Sequence, residues 1–343
     1  YGCFGMQVRD DDADMEGLIR SPSLGFSGKY KDDLTSQVLN DAMVTEARAK
    51  ELSFFYSKGV WIKRPHNTAR ARTGRPPISV RWVDVNKGDD TNPNIRSRLV
   101  ARQIRQPGEE AIFAPTPPLE SLRTIISLAA TNVEGRAPHV RDPKSERRTQ
   151  ISAIDISRAY FSATMEDGVE PTYVMLPPEH PDHAKGRCGL LLKHMYGTRA
   201  ASDGWQQEDS GYMRSIGFVQ GEASPCIFTH LWRGVACSVH GDDFTSTGEK
   251  RELDWLESML EARYELRKDG RLGPGDDDVK ELSVLNRILR WTPGGYEIEA
   301  DPRHAEILIA ALGAQTRAVV TPGVKEAVSA KRGSVRPAAE ENA

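Results

Sequence analysis

Three features of this 343-residue chain, a strand, a hairpin and a pair of helices, predict an α+β fold. Ile151-Ser152-Ala153-Ile154 alternates as a short strand does and ends at Asp155. Val235-Ala236-Cys237-Ser238-Val239-His240 and Phe244-Thr245-Ser246-Thr247 are β-prone runs flanking Gly241-Asp242-Asp243, the pattern of a hairpin. Ala200–Ile216 and Glu249–Tyr264 read as helices. Helices packed on one face of an antiparallel sheet make the α+β class.

Taken in order, residues 1–57 are acidic on balance and read as a linker or leader with one helix, Ser36 to Ser53. Val38, Leu39, Ala42, Met43, Ala47 and Leu52 recur there at helical spacing. Residues 58–132 form a basic block, and 133–149 a charged surface insertion. Residues 150–266 hold the strand, the hairpin and both helices. In 267–313 a glycine-rich acidic turn precedes a strand pair around Leu285–Trp291 and Tyr296–Glu299 and a helix over Pro302–Leu312. Residues 314–343 have little to bury and read as a flexible tail.

Gly-Asp-Asp occurs three times, and context separates the copies. Gly88–Asp90 precedes Thr91-Asn92-Pro93, and Gly275–Asp277 follows Gly273-Pro274; both read as solvated turns. Gly241–Asp243 puts two carboxylates on a hairpin tip, and Asp155 supplies a third at a strand end. Mg²⁺ prefers oxygen ligands and takes one or two protein carboxylates alongside substrate phosphates. Two such ions would clamp both oxygens of a phosphoryl transfer. The competing reading makes Asp155 the cap of a following helix.

The net charge of −3 conceals an uneven distribution. Lys58 to Arg105 carries twelve Lys and Arg against three Asp, suited to a phosphate backbone, or else a solvated basic face. Four cysteines without CxxC spacing, and no signal peptide, predict a reduced, intracellular chain. No apolar run is long enough to span a bilayer, so no membrane partner is expected. Cys226, His230, Cys237 and His240 are zinc-ligand types, but the odd spacing of the last two points them apart. His180-Pro181-Asp182-His183 reads as a solvated loop.

The order of several segments resembles the reverse transcriptase of copia-type retrotransposons. Val60-Trp61-Ile62-Lys63-Arg64-Pro65 is similar to the family's first strand, and Val80–Val83 with Arg96–Arg102 to its basic fingers hairpin. Phe113-Ala114-Pro115-Thr116 followed by Leu119–Arg123 looks like the family's step into a helix. Asp155–Phe161, Leu191–Ala201 with Trp205, Ser215–Phe218 with Ser224–Phe228, and His240–Asp243 complete a match over about two thirds of the chain.

The resemblance implies a right-hand polymerase with fingers (58–132), a palm bearing catalytic aspartates (150–266) and a partial thumb or connection (267–313). It implies an RNA-directed DNA polymerase with two Mg²⁺ ions, or Mn²⁺ in their stead. Its partners would be a primed RNA or DNA template and a deoxynucleoside triphosphate. Asp155 would be the first metal ligand, Asp242 the second and Asp243 their acidic neighbour. Tyr160 falls at the aromatic gate that excludes a 2′-hydroxyl. Gly197 looks like the glycine that clears the templating pair, although any tight turn also calls for glycine. Arg96 and Arg98 resemble the fingers cations that meet the triphosphate.

Two departures stand out. Gly241 replaces a β-branched or sulfur-bearing residue and would loosen the strand end, and Ser202 stands where proline is common. They motivate the alternative of a catalytically silent nucleic-acid-binding remnant. No ribonuclease H pattern follows Pro322 and no integrase or zinc-knuckle pattern precedes Trp61, so the chain is expected to be one domain of a larger product.

Overall fold

The structure, a computed structural model, describes residues 27–104, 116–131, 149–166, 168–299 and 303–312. The Phe113-Ala114-Pro115 step, all but the last residue of the charged insertion, and the tail lie outside the described residues. Two units divide the chain, residues 1–298 and 299–343. The described core of the second is one helix, Arg303–Leu312, a residue short of the expected start.

The N-terminal helix α1 runs Asp41–Ser57, not Ser36–Ser53. The Asn40 side chain accepts hydrogen bonds from the Ala42 and Met43 amides, satisfying donors that an α-helix leaves open at its start. Ser36 has φ 63° and Val38 bridges Lys31, so those residues form a turn instead. After α1 come β1 (Trp61–Pro65), α2 (His66–Thr73), β2 (Val80–Asn86) and β3 (Ile95–Ala101). Then follow α3 (Leu119–Ala130), β4 (Thr149–Ile156), β5 (Tyr173–Met175), β6 (Arg187–Leu191), α4 (Ala201–Ser215), β7 (Val219–Gln220) and β8 (Ile227–His230). The unit continues through β9 (Val235–His240), β10 (Asp243–Glu249), α5 (Lys250–Glu261), β11 (Leu266–Leu272), β12 (Glu281–Val284), β13 (Arg287–Thr292) and β14 (Gly295–Glu299).

A six-stranded antiparallel sheet, ordered β11-β4-β10-β9-β8-β7, is the centre of the mixed helix-and-sheet architecture. Side chains alternate between its faces. Ile154 and Ile156 of β4, Val239 of β9 and Phe244 of β10 face α4 and α5, which contribute Trp205, Met213, Leu253, Leu256 and Leu260. Helices were expected on one face alone, but α3 covers the other: Leu122, Ile126 and Ala129 pack there on Ile151 and Ala153, joined by Leu282, Val284 and Leu289 of β12 and β13. The reason lies in β4, whose alternate positions are apolar on both sides. Asp155 continues the α3-facing row.

A second core gathers Leu52 and Phe55 of α1 with Trp61, Leu99, Phe161, Leu191 and Met195. It carries the β1-β6-β5 sheet and the β2-β3 hairpin. The His180 loop is a correction to the solvated reading. His180 is only 3% exposed, packed against Tyr56 and Trp61. Burial holds its pKa down to about 4.

Candidate active site

The β9-β10 turn consists of Gly241 and Asp242, since His240 pairs with Asp243. Gly241 takes φ 64° and is the one residue of that turn with positive φ, as a two-residue hairpin with glycine first requires. The glycine therefore suits the turn instead of loosening it, and a β-branched residue would be strained there. Two hydrogen bonds fix the tip: Trp205 Nε1 donates to the Gly241 carbonyl at 2.8 Å, and the Ile156 amide to the Asp242 carbonyl at 2.8 Å.

Across the sheet, Asp243 stands directly opposite Asp155, and Arg267 of β11 stands opposite Asp155 on its other side. Direct cross-strand partners project from the same face, so Asp155 and Asp243 share one. Arg267 Nη2 lies 3.6 Å from Asp155 Oδ2 and its Nε donates to Asp269 at 2.9 Å. Burial raises the Asp155 pKa; Arg267 opposes that rise and Asp242 adds to it. Asp243 is pushed up to about 6 by burial first, then by the charges of Asp242 and Asp155. These oxygens repel one another, the donor set that a hard cation relieves. Among the described residues no three His, Cys, Asp or Glu side chains converge closely enough to form a closed metal site as they stand. That holds for Cys226, His230, Cys237 and His240 also; the first and third are buried, and the His230 ring packs on Phe218 and Trp255.

Tyr160 sits on a single 3₁₀ turn, Ala159–Ser162, where the competing reading places a helix capped by Asp155; the residue at the cap position is Arg158. Its ring meets Tyr196 edge-on at 5.1 Å, and its hydroxyl lies 3.3 Å from Ser202 Oγ. Tyr160, Ser202, Trp205, Asp209, His240 and Gly241 help line a pocket of about 200 Å³ behind the tip. A larger cavity of about 600 Å³, bounded by Arg75, Arg102 and Glu170, includes none of the predicted site residues.

Arg96 and Arg98 lie two apart on β3 and so share a face. Arg96 is exposed on its strand, though its surroundings are crowded enough that burial and then the charge of Arg98 lower its pKa, while Asp155 acts in the opposite sense. Arg98 stacks on Tyr196 at 4.8 Å. Gly197 has φ 79°, and a Cβ there would come within 2.1 Å of the Ala101 carbonyl oxygen and 2.5 Å of Val100 Cγ1. Close packing of the β3 end thus accounts for the glycine by itself.

Sequence reasoning missed Arg267. It falls just past the boundary drawn at residue 266, and the basic run Arg267-Lys268 inside a short β-prone stretch was the available signal.

Residues 66–273 match the family described as reverse transcriptase (RNA-dependent DNA polymerase). The chain is 26% identical over 226 residues to the retrovirus-related Pol polyprotein from transposon RE1 of Arabidopsis thaliana, covering 63% of this chain and 14% of that protein. Similarity to the Pol polyprotein from transposon RE2 of the same plant is 28% over 205 residues, covering 54% and 12%. The Pol polyprotein from transposon TNT 1-94 of Nicotiana tabacum is 25% identical over 228 residues, covering 63% and 16%. The matched stretch is thus well under a fifth of each relative's length.

Proposed function

This chain belongs to the reverse transcriptase (RNA-dependent DNA polymerase) family, and from that premise we propose that it extends a primer on an RNA or DNA template, as part of a copia-type retrotransposon polyprotein. The observation that carries the reading is the pairing of Asp155 with Asp243 across two strands, with Asp242 in the adjoining turn. Asp155, Asp242 and Asp243 would hold two Mg²⁺ ions, or Mn²⁺, which when bound help deprotonate the primer 3′-hydroxyl and stabilise charge on the departing pyrophosphate. Arg96 and Arg98 bind the triphosphate of the incoming deoxynucleotide, where a planar guanidinium fork suits phosphate oxygens. The ring of Tyr160 fills the space a 2′-hydroxyl would need. Gly197 keeps the Tyr196 segment against β3 and so holds the arginine-bearing strand in position.

In this reading residues 58–132 are the fingers, 150–266 the palm, and 267–313 a partial thumb or connection; β2-β3 and the six-stranded sheet support the first two assignments. Residues 1–57 would be a leader, 133–149 a surface insertion and 314–343 a tail.

Primer extension on poly(rA)–oligo(dT) tests the proposal, with and without Mg²⁺, beside Asp155→Asn and Asp242→Asn. Metal-dependent extension lost in both variants is the expected result. Template binding without extension by the unaltered protein would favour the silent remnant, and extension retained by both variants would remove the two-metal account.

A further inference from the structure

Strand β11 breaks its register at one place, and that place lies beside the candidate site. Arg267 stands opposite Asp155 and Lys268 opposite Ile154, but the next partner, Ala153, is met by Gly270 and not by Asp269. Asp269 is thus the extra residue of a β-bulge, and Gly270 takes φ 136° to accommodate it. A bulge interrupts the ladder and re-aims a side chain. Here the re-aimed side chain is that of Asp269.

Its carboxylate reaches back to Arg267 and holds the guanidinium at two points: Nε donates to Asp269 Oδ1 at 2.9 Å and Nη2 to Oδ2 at 3.3 Å. Lys268, between them, goes to the opposite face, where it pairs with Glu257 and Glu261 at 3.2 and 2.7 Å. The same Arg267 Nη2 lies 3.6 Å from Asp155 Oδ2, too far for a hydrogen bond. An arginine directly across from an aspartate would otherwise close on it as a two-point, charge-assisted pair. The Asp155 oxygens would then be spent on the arginine and closed to a metal ion.

Resting on the metal-binding reading above, we propose that Asp269 is a positioning residue for divalent-cation binding, clamping Arg267 just short of Asp155. The arginine then offsets the repulsion between Asp155 and Asp243 without taking the oxygens an ion needs. An ion pair formed for stability alone would join the two residues that stand directly opposed, Arg267 and Asp155. The structure instead joins Arg267 to a bulged residue of its own strand.

The experiment is titration of the full chain with Mn²⁺ alone, the free ion being followed by electron paramagnetic resonance. The unaltered protein is compared with Asp269→Asn, Arg267→Gln, the double variant carrying both, and Asp155→Asn, each checked for folding by its thermal melt. The Arg267 and Asp269 side chains are 60% and 32% exposed, so the fold does not hang on either. Asp269→Asn should weaken Mn²⁺ binding about tenfold, the scale of one charge-assisted contact made by the released Arg267 on Asp155. Arg267→Gln should bind at least as tightly as the unaltered protein, and weaker binding there would overturn the clamp. The double variant is diagnostic. Loss of the Asp269 charge alone would weaken cation binding in either background, whereas a clamp acts only through Arg267. The double variant should therefore bind within about twofold of Arg267→Gln. An equal loss in both backgrounds, or unchanged affinity in Asp269→Asn, would overturn the clamp while leaving the metal site intact. No Mn²⁺ binding by the unaltered protein, or binding that Asp155→Asn does not diminish, would overturn both.

Discussion

Alanine at two glycines of the site should have unequal consequences, although both glycines take left-handed backbone angles. At Gly241, φ is 64° and an added Cβ would meet nothing within 4 Å. Only conformational strain opposes alanine there, about 1–2 kcal/mol. At Gly197, φ is 79° and the same atom would lie 2.1 Å from the Ala101 carbonyl oxygen, a backbone atom with no rotamer to yield. Relief requires the end of β3 to part from the Tyr196–Gly197 segment. That strains or breaks the bonds from the Ala101 amide to the Tyr196 carbonyl at 2.8 Å and from the Gln103 amide to the Gly197 carbonyl at 3.4 Å. Each contributes about 1 kcal/mol, and Ala101 is too buried for water to replace its partner readily. Gly197→Ala should therefore lose about 3–4 kcal/mol against about 1–2 for Gly241→Ala, a large share of the stability of a typical domain. Urea unfolding of the two variants, compared at equal m-values, measures the difference. Losses that agree within about 0.5 kcal/mol would refute the packing argument. Normal stability in Gly197→Ala with loss of extension alone would return Gly197 to the role of clearing the templating pair.

Three further outcomes follow from named contacts. Asp209 is 3% exposed, and burial pushes its carboxyl up to about 7. A raised acid binds its proton more tightly when folded, so its stabilising share is complete below the ordinary value of 3.8 and lost as pH rises through about 7. Asp209→Asn should thus gain stability relative to the unaltered protein between about pH 5 and about pH 8, by up to about 2–3 kcal/mol, and parallel melting curves at the two pH values would contradict it. Arg48 bridges Asp84 and Glu179 at 2.6 Å each and stacks on Tyr30 and Trp82. Arg48→Ala leaves the buried Asp84 without its cation, with the Ser97 hydroxyl still donating to it at 2.6 Å, and should cost about 3 kcal/mol in denaturant unfolding, with a loss below about 1 kcal/mol arguing that the network is replaceable. Tyr160→Phe gives up only a 3.3 Å contact to Ser202 and should preserve the preference for deoxynucleotides, whereas Tyr160→Ala should admit ribonucleotides. Equal incorporation ratios in the two variants would deny the ring a gating role.

The β9-β10 hairpin was legible because its determinants are local: alternation on each side and a glycine at a turn position that only positive φ satisfies. The β2-β3 pair, α3, α4 and α5 were likewise within a few residues of expectation, the first two through family resemblance. What a sequence does not carry is register. The resemblance ranked Asp242 ahead of its neighbour as the companion of Asp155, whereas the cross-strand pairing fell to Asp243 because the turn uses two residues, leaving Asp242 within it. Arg267 was hidden for the same reason, being defined by a strand that pairs with β4 from far along the chain. Helix α1 could be read as a helix, but its partners Leu99 and Phe161 are long-range, so neither its burial nor the Glu51–Arg158 contact was visible.

Register also explains the electrostatics. Like charges directly opposite on neighbouring strands oppose pairing, and here Asp155 and Asp243 are so placed where burial already favours their neutral forms. Arg267 moderates this on one flank only, and it shares its guanidinium with Asp269. A sheet needing only stability would sooner avoid such a pair, as β4 does on the same face at Ile151 and Ala153, which stand opposite Thr247 and Thr245. Carboxylates kept together at the end of an apolar row, on a turn fixed by Trp205 and Ile156, cost the sheet stability, and the proposed binding of cations would account for their retention.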